Sequence, residues 1–160
     1  MKRLDTYSQN FLKSPQLVRE LIGKSNVKAG DTVYDLGAGS GVISSVLAAT
    51  VAKVVAVEYD TRLKTTLEKN LSRYPNVDII FADALTIALP TTPYKSFANI
   101  PFHISSPLMQ RFINNPSAPA AAYLIVQKQF GRKLEASDPK HFTSQLGMLL
   151  GAEYTVKVMR

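Results

Sequence analysis

Four consecutive residues, Asn99, Ile100, Pro101 and Phe102, combine an amide, a proline-fixed main chain and an aromatic ring. That set suits a reaction at an aromatic exocyclic amine such as adenine N6. The lone pair of such a nitrogen is delocalised into the ring, so it is a poor nucleophile. An amide oxygen and a backbone carbonyl that accept its two hydrogens draw it toward a tetrahedral shape. They also stabilise positive charge as a methyl group arrives. Pro101 fixes the chain so that the carbonyl of Ile100 points outward. Phe102 offers a face on which an extruded base can stack. No general base is needed in the slow step, because the methylated ammonium is acidic. In isolation the same four residues read as a capped turn with Pro-Phe packing. Their place at a strand end, behind three further motifs, favours the chemical reading.

The first of those motifs is "DLGAGSG", Asp35 to Gly41. Glycines at alternate positions let the main chain approach a ligand and turn sharply into a helix. The turn fits a nucleotide-like cofactor, and alone it does not separate S-adenosylmethionine from NAD. The second is Glu58, closing "KVVAVEYD". An acid about twenty residues after such a turn, at the end of the second strand, can accept both ribose hydroxyls. Tyr59 follows it and either stacks on an adenine or packs. The third is "FADAL". Asp83 there can accept from an adenine exocyclic amine, or can cap the turn that follows.

The elements that must hold these residues alternate. Strands are expected in "DTVYDLGAGSG", "KVVAVEYD", "NVDIIFAD", "YKSFANI", "AAAYLIVQ" and "EYTVKVMR". Helices are expected in "SPQLVRELIG", with Ser14 as N-cap and Pro15 at its first position, and in "VISSVLAAT". "TRLKTTLEKNLSRY" spaces Leu63, Leu67 and Leu71 four apart. "SPLMQRFI" reads as a helix with Pro107 in its first turn, and "KQFGRKLEA" and "FTSQLGMLLG" read as helices. Alternation of this kind predicts an α/β fold, a doubly wound parallel sheet covered by helices on both faces. Ligands of such sheets bind beyond the carboxyl ends of the strands, where the motifs lie.

The chain has 160 residues, enough for a single domain with a core. Nineteen Lys and Arg against twelve acids give a net charge of +7, which favours a polyanionic partner such as nucleic acid. The basic residues are scattered, and no single arm stands out. There is no cysteine, which excludes disulfides and thiol chemistry and suits the cytoplasm. The two histidines, His103 and His141, are too few for a metal centre, so no metal is expected. No apolar run reaches membrane-spanning length and no signal peptide is seen, so no membrane partner is expected.

Taken in order, "YSQNFL", "DLGAGSG", "VEYD", "FADAL", "NIPFHISSPL" and "VQKQFGRKL" resemble the ribosomal RNA adenine N6-dimethyltransferases over essentially the whole chain. The resemblance implies a class I, Rossmann-like methyltransferase fold, S-adenosylmethionine as cofactor, ribosomal RNA as partner and a monomer. It implies that Asn10 and Leu12 line the methionine end of the cofactor and that Gly37 touches its backbone. Glu58, with Tyr59 beside it, would hold the ribose. Asp83 and Ala84 would meet the adenine, and Asn99 the target amine beside the sulfonium. Ser before Gln9, Ile100 before Pro101 and "QKQF" followed by a basic helix look more like the macrolide-resistance (Erm) branch, which methylates large-subunit rRNA. The housekeeping branch methylates small-subunit rRNA and usually has Tyr where Phe102 stands. The family continues past a sixth strand into a seventh strand and a helical RNA-binding domain, which residues 1–160 lack. "EYTVKVMR" is therefore expected to be frayed, displaced or paired with another molecule. Catalysis is expected to be weakened while the cofactor site survives.

Rival readings come from other classes. An NAD-dependent dehydrogenase would use the glycine turn and the acid but leaves Asn99 to Phe102 without a role. A cofactor- or RNA-binding fragment with little turnover fits the shortened chain. A DNA adenine methyltransferase more often carries an acidic or doubled-proline tetrapeptide.

Overall fold

The computed structural model describes residues 12, 14–113, 115–134 and 144–159. Asn10 and His141 lie outside the described residues. Strands β1 (Thr32–Leu36), β2 (Lys53–Glu58), β3 (Val77–Phe81), β4 (Lys95–Asn99) and β5 (Ala121–Ile125) form one sheet in the order β3-β2-β1-β4-β5, and every pairing is parallel. The chain winds outward from β1 to β3, then crosses to the other side of β1 to lay down β4. The switch point between β1 and β4 is where such a sheet opens a crevice. Gly37 leaves β1 and Asn99 ends β4, so the two flank it.

Helices cover both faces. α1 (Pro15–Gly23), α2 (Val42–Ala48) and α3 (Lys64–Leu71, after a 3-10 turn at Thr61–Leu63) lie on one side. Val18, Val33, Leu47, Val54 and Phe97 are buried among them. α4 (Phe102–Phe112), α5 (Lys128–Leu134) and α6 (Gln145–Glu153) lie on the other, where Leu36, Val57, Ala98, Leu108 and Phe112 are buried. Alternation along each strand divides the two sets: Val33 faces one layer and Leu36 the other, Phe97 one and Ala98 the other. The Ser14 hydroxyl accepts from the Leu17 N–H at 3.4 Å, with Pro15 at the first helical position, as the sequence predicts.

Two expectations need correction. α4 begins at Phe102, five residues before Pro107, so Pro107 sits inside the helix and not in its first turn. Pro101 ends the extended chain and provides the cap: its carbonyl accepts from the Ile104 N–H at 3.1 Å and the Ser105 hydroxyl at 3.2 Å. "EYTVKVMR" is not a sixth strand. α6 runs on to Glu153, and residues 155–159 join no ladder among the described residues. The apolar–polar alternation is real, since Tyr154 and Val156 pack against the core cluster. A strand, however, is made by a hydrogen-bonding neighbour, and β5 pairs on one side only, with β4. The expectation is a segment frayed, displaced or paired with another molecule; within this chain it is unpaired among the described residues. Among the described residues no helix is long and apolar enough to cross a membrane, and no cluster of three His, Cys, Asp or Glu could hold a metal ion.

Candidate active site

The glycine turn is built by β1 and β2 together. The N–H groups of Gly37 and Ala38 both donate to the Val57 carbonyl, at 2.8 and 2.9 Å, and this folds the turn across the end of β2. Gly37, Gly39 and Gly41 have φ of +90°, +58° and +86°, the left-handed region that side chains resist. At Gly37 the positive φ is combined with a close approach. A Cβ there would lie 3.5 Å from Cδ of Pro101 and 3.9 Å from the carbonyl oxygen of Asn99. The turn after β1 and the tetrapeptide after β4 are thus in near contact across the switch point.

Glu58 is buried, and each of its carboxylate oxygens has one backbone donor. Gly39 N–H donates to Oε2 and Asp60 N–H to Oε1, both at 2.7 Å. Each oxygen retains acceptor capacity, so a pair of ribose hydroxyls can be added without breaking either bond. Beside it Tyr59 is 76% exposed, so its ring is not buried in the core and its face is open.

Asp35 supports the turn from below. It is fully buried in β1 and its Oδ2 accepts from the Ser44 hydroxyl in α2 at 2.6 Å. Its Oδ1 has no partner among the described residues. Burial pushes this carboxyl up to about 7, against the hydrogen bonds from Ser44, and the nearby charge of Glu58 adds to the rise.

Asp83 lies two residues past the end of β3, in a tight turn. Its Oδ1 accepts from the Leu85 N–H at 2.8 Å, and its main-chain carbonyl accepts from Thr86 and Ile87 at 3.0 and 2.9 Å. The turn-capping role foreseen for Asp83 is therefore present, and it uses only one carboxylate oxygen. Ala84 is buried beneath it. A residue that sequence reasoning missed closes this turn. Arg111, from α4, donates Nη1 to the Ala84 carbonyl at 2.6 Å and Nη2 to the Ile87 carbonyl. No spacing rule links position 111 to position 84, so no sequence signal pointed to it.

The tetrapeptide is anchored at its middle. The Ile100 N–H donates to the Ile125 carbonyl of β5 at 3.1 Å, and the Ile100 side chain is 1% exposed. Neither the Asn99 side-chain amide nor the Ile100 carbonyl takes a hydrogen bond among the described residues. Phe102, at the first position of α4, leaves 42% of its surface exposed. Two acceptors and a bare aromatic face therefore stand together at the crevice. Leu12 is buried in the cluster with Val18, Ile22 and Val33.

A model of the family described as "Ribosomal RNA adenine dimethylase" matches residues 2–160. The chain belongs to the ribosomal RNA adenine dimethylase family. It is similar to an "rRNA adenine N-6-methyltransferase" of Bacillus licheniformis, 32% identical over 86% of this chain and 45% of the relative. It is also similar to "Ribosomal RNA small subunit methyltransferase A" of Fusobacterium nucleatum, 33% identical over 87% of this chain and 54% of the relative. Among solved structures it resembles a dimethyladenosine transferase from Plasmodium falciparum, with a TM-score of 0.76 and 27% identity over 88% of this chain and 51% of that one. It also resembles the 23S rRNA methyltransferase ErmE, with a TM-score of 0.71 and 28% identity over 79% of this chain and 52% of that one. The chain spans about half the length of the curated relatives it matches. The fold is that of the class I methyltransferases, and the cofactor this family implies is S-adenosylmethionine. The residues present fit such a group. Gly37 offers close main-chain approach, Glu58 a buried carboxylate with acceptor capacity to spare, and Asp83 one uncommitted carboxylate oxygen.

Proposed function

We propose that residues 1–160 form a single S-adenosylmethionine-binding catalytic domain that methylates adenine N6 in ribosomal RNA. One observation carries the reading. The glycine turn lies against Asn99 and Pro101, with the Asn99 amide and the Ile100 carbonyl both uncommitted among the described residues. The cofactor supplies an electrophilic methyl group when bound. Asn10, the main chain of Leu12 and Gly37 hold its methionine end. Glu58 accepts from its ribose, Tyr59 covers it, and Asp83 and Ala84 receive its adenine.

The chain's own residues then act on the target base. The Asn99 side-chain oxygen and the Ile100 carbonyl accept the two hydrogens of the adenine amine and orient its lone pair. They stabilise the positive charge that develops on nitrogen. Phe102 stacks on the base and holds it out of its helix. Pro101 and the Ile100–Ile125 bond keep the two acceptors rigid, so little reorganisation is needed as the charge forms. The ammonium product loses its proton to solvent without a side-chain base.

Within this activity we favour large-subunit rRNA, the macrolide-resistance type of target. Ser8 before Gln9, Ile100 before Pro101, Phe102 in place of Tyr and "QKQF" followed by the basic residues Arg132 and Lys133 support that branch. The small-subunit reading is the second, favoured by the similarity to small-subunit methyltransferases. A soluble monomer acting in the cytoplasm completes the proposal. The deciding experiment offers labelled S-adenosylmethionine with protein-free large-subunit rRNA and, in parallel, with immature small-subunit particles. Label on N6 of an adenine in the large-subunit RNA alone supports the favoured branch, and label on the particles alone moves the chain to the other. Label on neither, with cofactor binding intact, makes these residues a cofactor-binding portion that needs further protein to hold the base.

A further inference from the structure

Arg111 reaches the adenine-side turn from the helix that begins at Phe102. Its guanidinium spans the turn, with Nη1 on the Ala84 carbonyl and Nη2 on the Ile87 carbonyl. It is half-buried and pairs with no carboxylate among the described residues, so main-chain oxygens alone satisfy it. The Ala84–Leu85 peptide has a second bond. Its carbonyl accepts from Arg111 and its N–H donates to Oδ1 of Asp83 at 2.8 Å. A cation on a peptide oxygen polarises the peptide and strengthens its N–H as a donor. Arg111 therefore bears on the Asp83 carboxylate through one peptide unit, and it clamps the turn whose other end is Ile87.

We propose that Arg111 is a positioning residue for adenine recognition: through the Ala84–Leu85 peptide it fixes the Asp83 carboxylate, and so decides which oxygen is left for the cofactor's exocyclic amine. The same helix carries Phe102 at its start, so one rigid element sets both the base-stacking face and the adenine turn. The inference rests on the reading of Asp83 given above.

The test compares the binding of S-adenosylhomocysteine and S-inosylhomocysteine by calorimetry. The second replaces the exocyclic amine with a carbonyl, which a fixed carboxylate rejects, so the intact chain should prefer the first by roughly tenfold or more. Arg111→Met should reduce that preference to roughly threefold or less. Arg111→Lys, which restores the cation without the fork, should recover part of it. Arg111→Gln, which removes the charge and keeps a donor, replaces the Met variant if that one fails to fold. Equal weakening of both ligands with the preference intact would show a purely structural role and overturn the proposal. Asp83→Ala separates the two layers. If it abolishes the preference while Arg111→Met leaves it unchanged, the Asp83 reading stands and the Arg111 proposal falls. If it leaves the preference intact, the Asp83 reading fails and the proposal falls with it.

Discussion

Gly37 and Pro101 come from opposite sides of the switch point, yet a Cβ on Gly37 would sit 3.5 Å from Cδ of Pro101. The glycine turn after β1 and the tetrapeptide Asn99 to Phe102 are packed as one surface. At Gly37 a methyl group meets only ordinary contact, but φ is +90° and side chains resist it, at a cost of about 1–2 kcal/mol. Gly37→Ala should therefore fold with a modestly lowered Tm. It should bind S-adenosylhomocysteine at least tenfold more weakly, because the added methyl occupies the line of approach. Calorimetry alongside thermal unfolding checks both parts.

Gly41 should behave in the opposite way. Its φ is +86°, and a Cβ there would lie 2.9 Å from Cδ1 of Leu67 and 3.1 Å from Cγ of Leu71. Gly41→Ala adds overpacking against α3 to backbone strain, for a combined cost of about 2–4 kcal/mol. Chemical denaturation should show Gly41→Ala to be clearly less stable than Gly37→Ala. Equal midpoints would mean that α3 is not seated on the turn as described.

Glu58→Gln tests the buried carboxylate. Gly39 and Asp60 both present N–H donors to it, one to each oxygen. Glutamine keeps one acceptor and turns the other position into a donor facing a donor. The variant should lose about 1–3 kcal/mol of stability and most of its cofactor affinity. Unchanged binding of S-adenosylhomocysteine would remove Glu58 from the ribose site.

Asp35 gives a pH signature. Burial raises its folded-state pKa from 3.8 to about 7. A carboxyl raised in this way is protonated in the folded chain while the unfolded chain has already ionised. Its stabilising contribution is thus fully present below about pH 4 and is lost as pH rises toward 7. Three pK units correspond to about 4 kcal/mol. Asp35→Asn removes the titration, so the difference in unfolding free energy between variant and parent should shift in the variant's favour from pH 4 to pH 8. A difference that stays flat across that range would contradict the neutral state of Asp35.

The parts of the fold that local chemistry determines were readable from the sequence. Valine-rich β2, the glycine run after β1 and the proline-led α1 each declare themselves within ten residues, and all fall where the spacing puts them. Glu58, Asp83 and Asn99 were legible as candidates because each closes or follows a strand, and a parallel sheet carries strand ends to one edge, which is where the structure places them. What local pattern did not show is what depends on a distant partner. Residues 155–159 alternate as a strand does, but alternation cannot supply a neighbour for the ladder. The early start of α4 follows from Pro101 acting as cap, and Pro107 hid it by suggesting a first turn of its own. Arg111 meets the Ala84 turn only because α4 folds back across the sheet, a contact 27 residues apart in sequence.

Methyl transfer by Asn99→Ala decides whether the Asn99 amide acts on the target amine. The measurement is single-turnover transfer from labelled S-adenosylmethionine to adenine N6 of the RNA that the parent chain modifies, with cofactor affinity determined in parallel. The expected result is a loss of about two orders of magnitude in transfer with cofactor binding little changed. Transfer by the variant at the parent rate would contradict it, as would parent transfer to any atom other than the exocyclic nitrogen of an adenine.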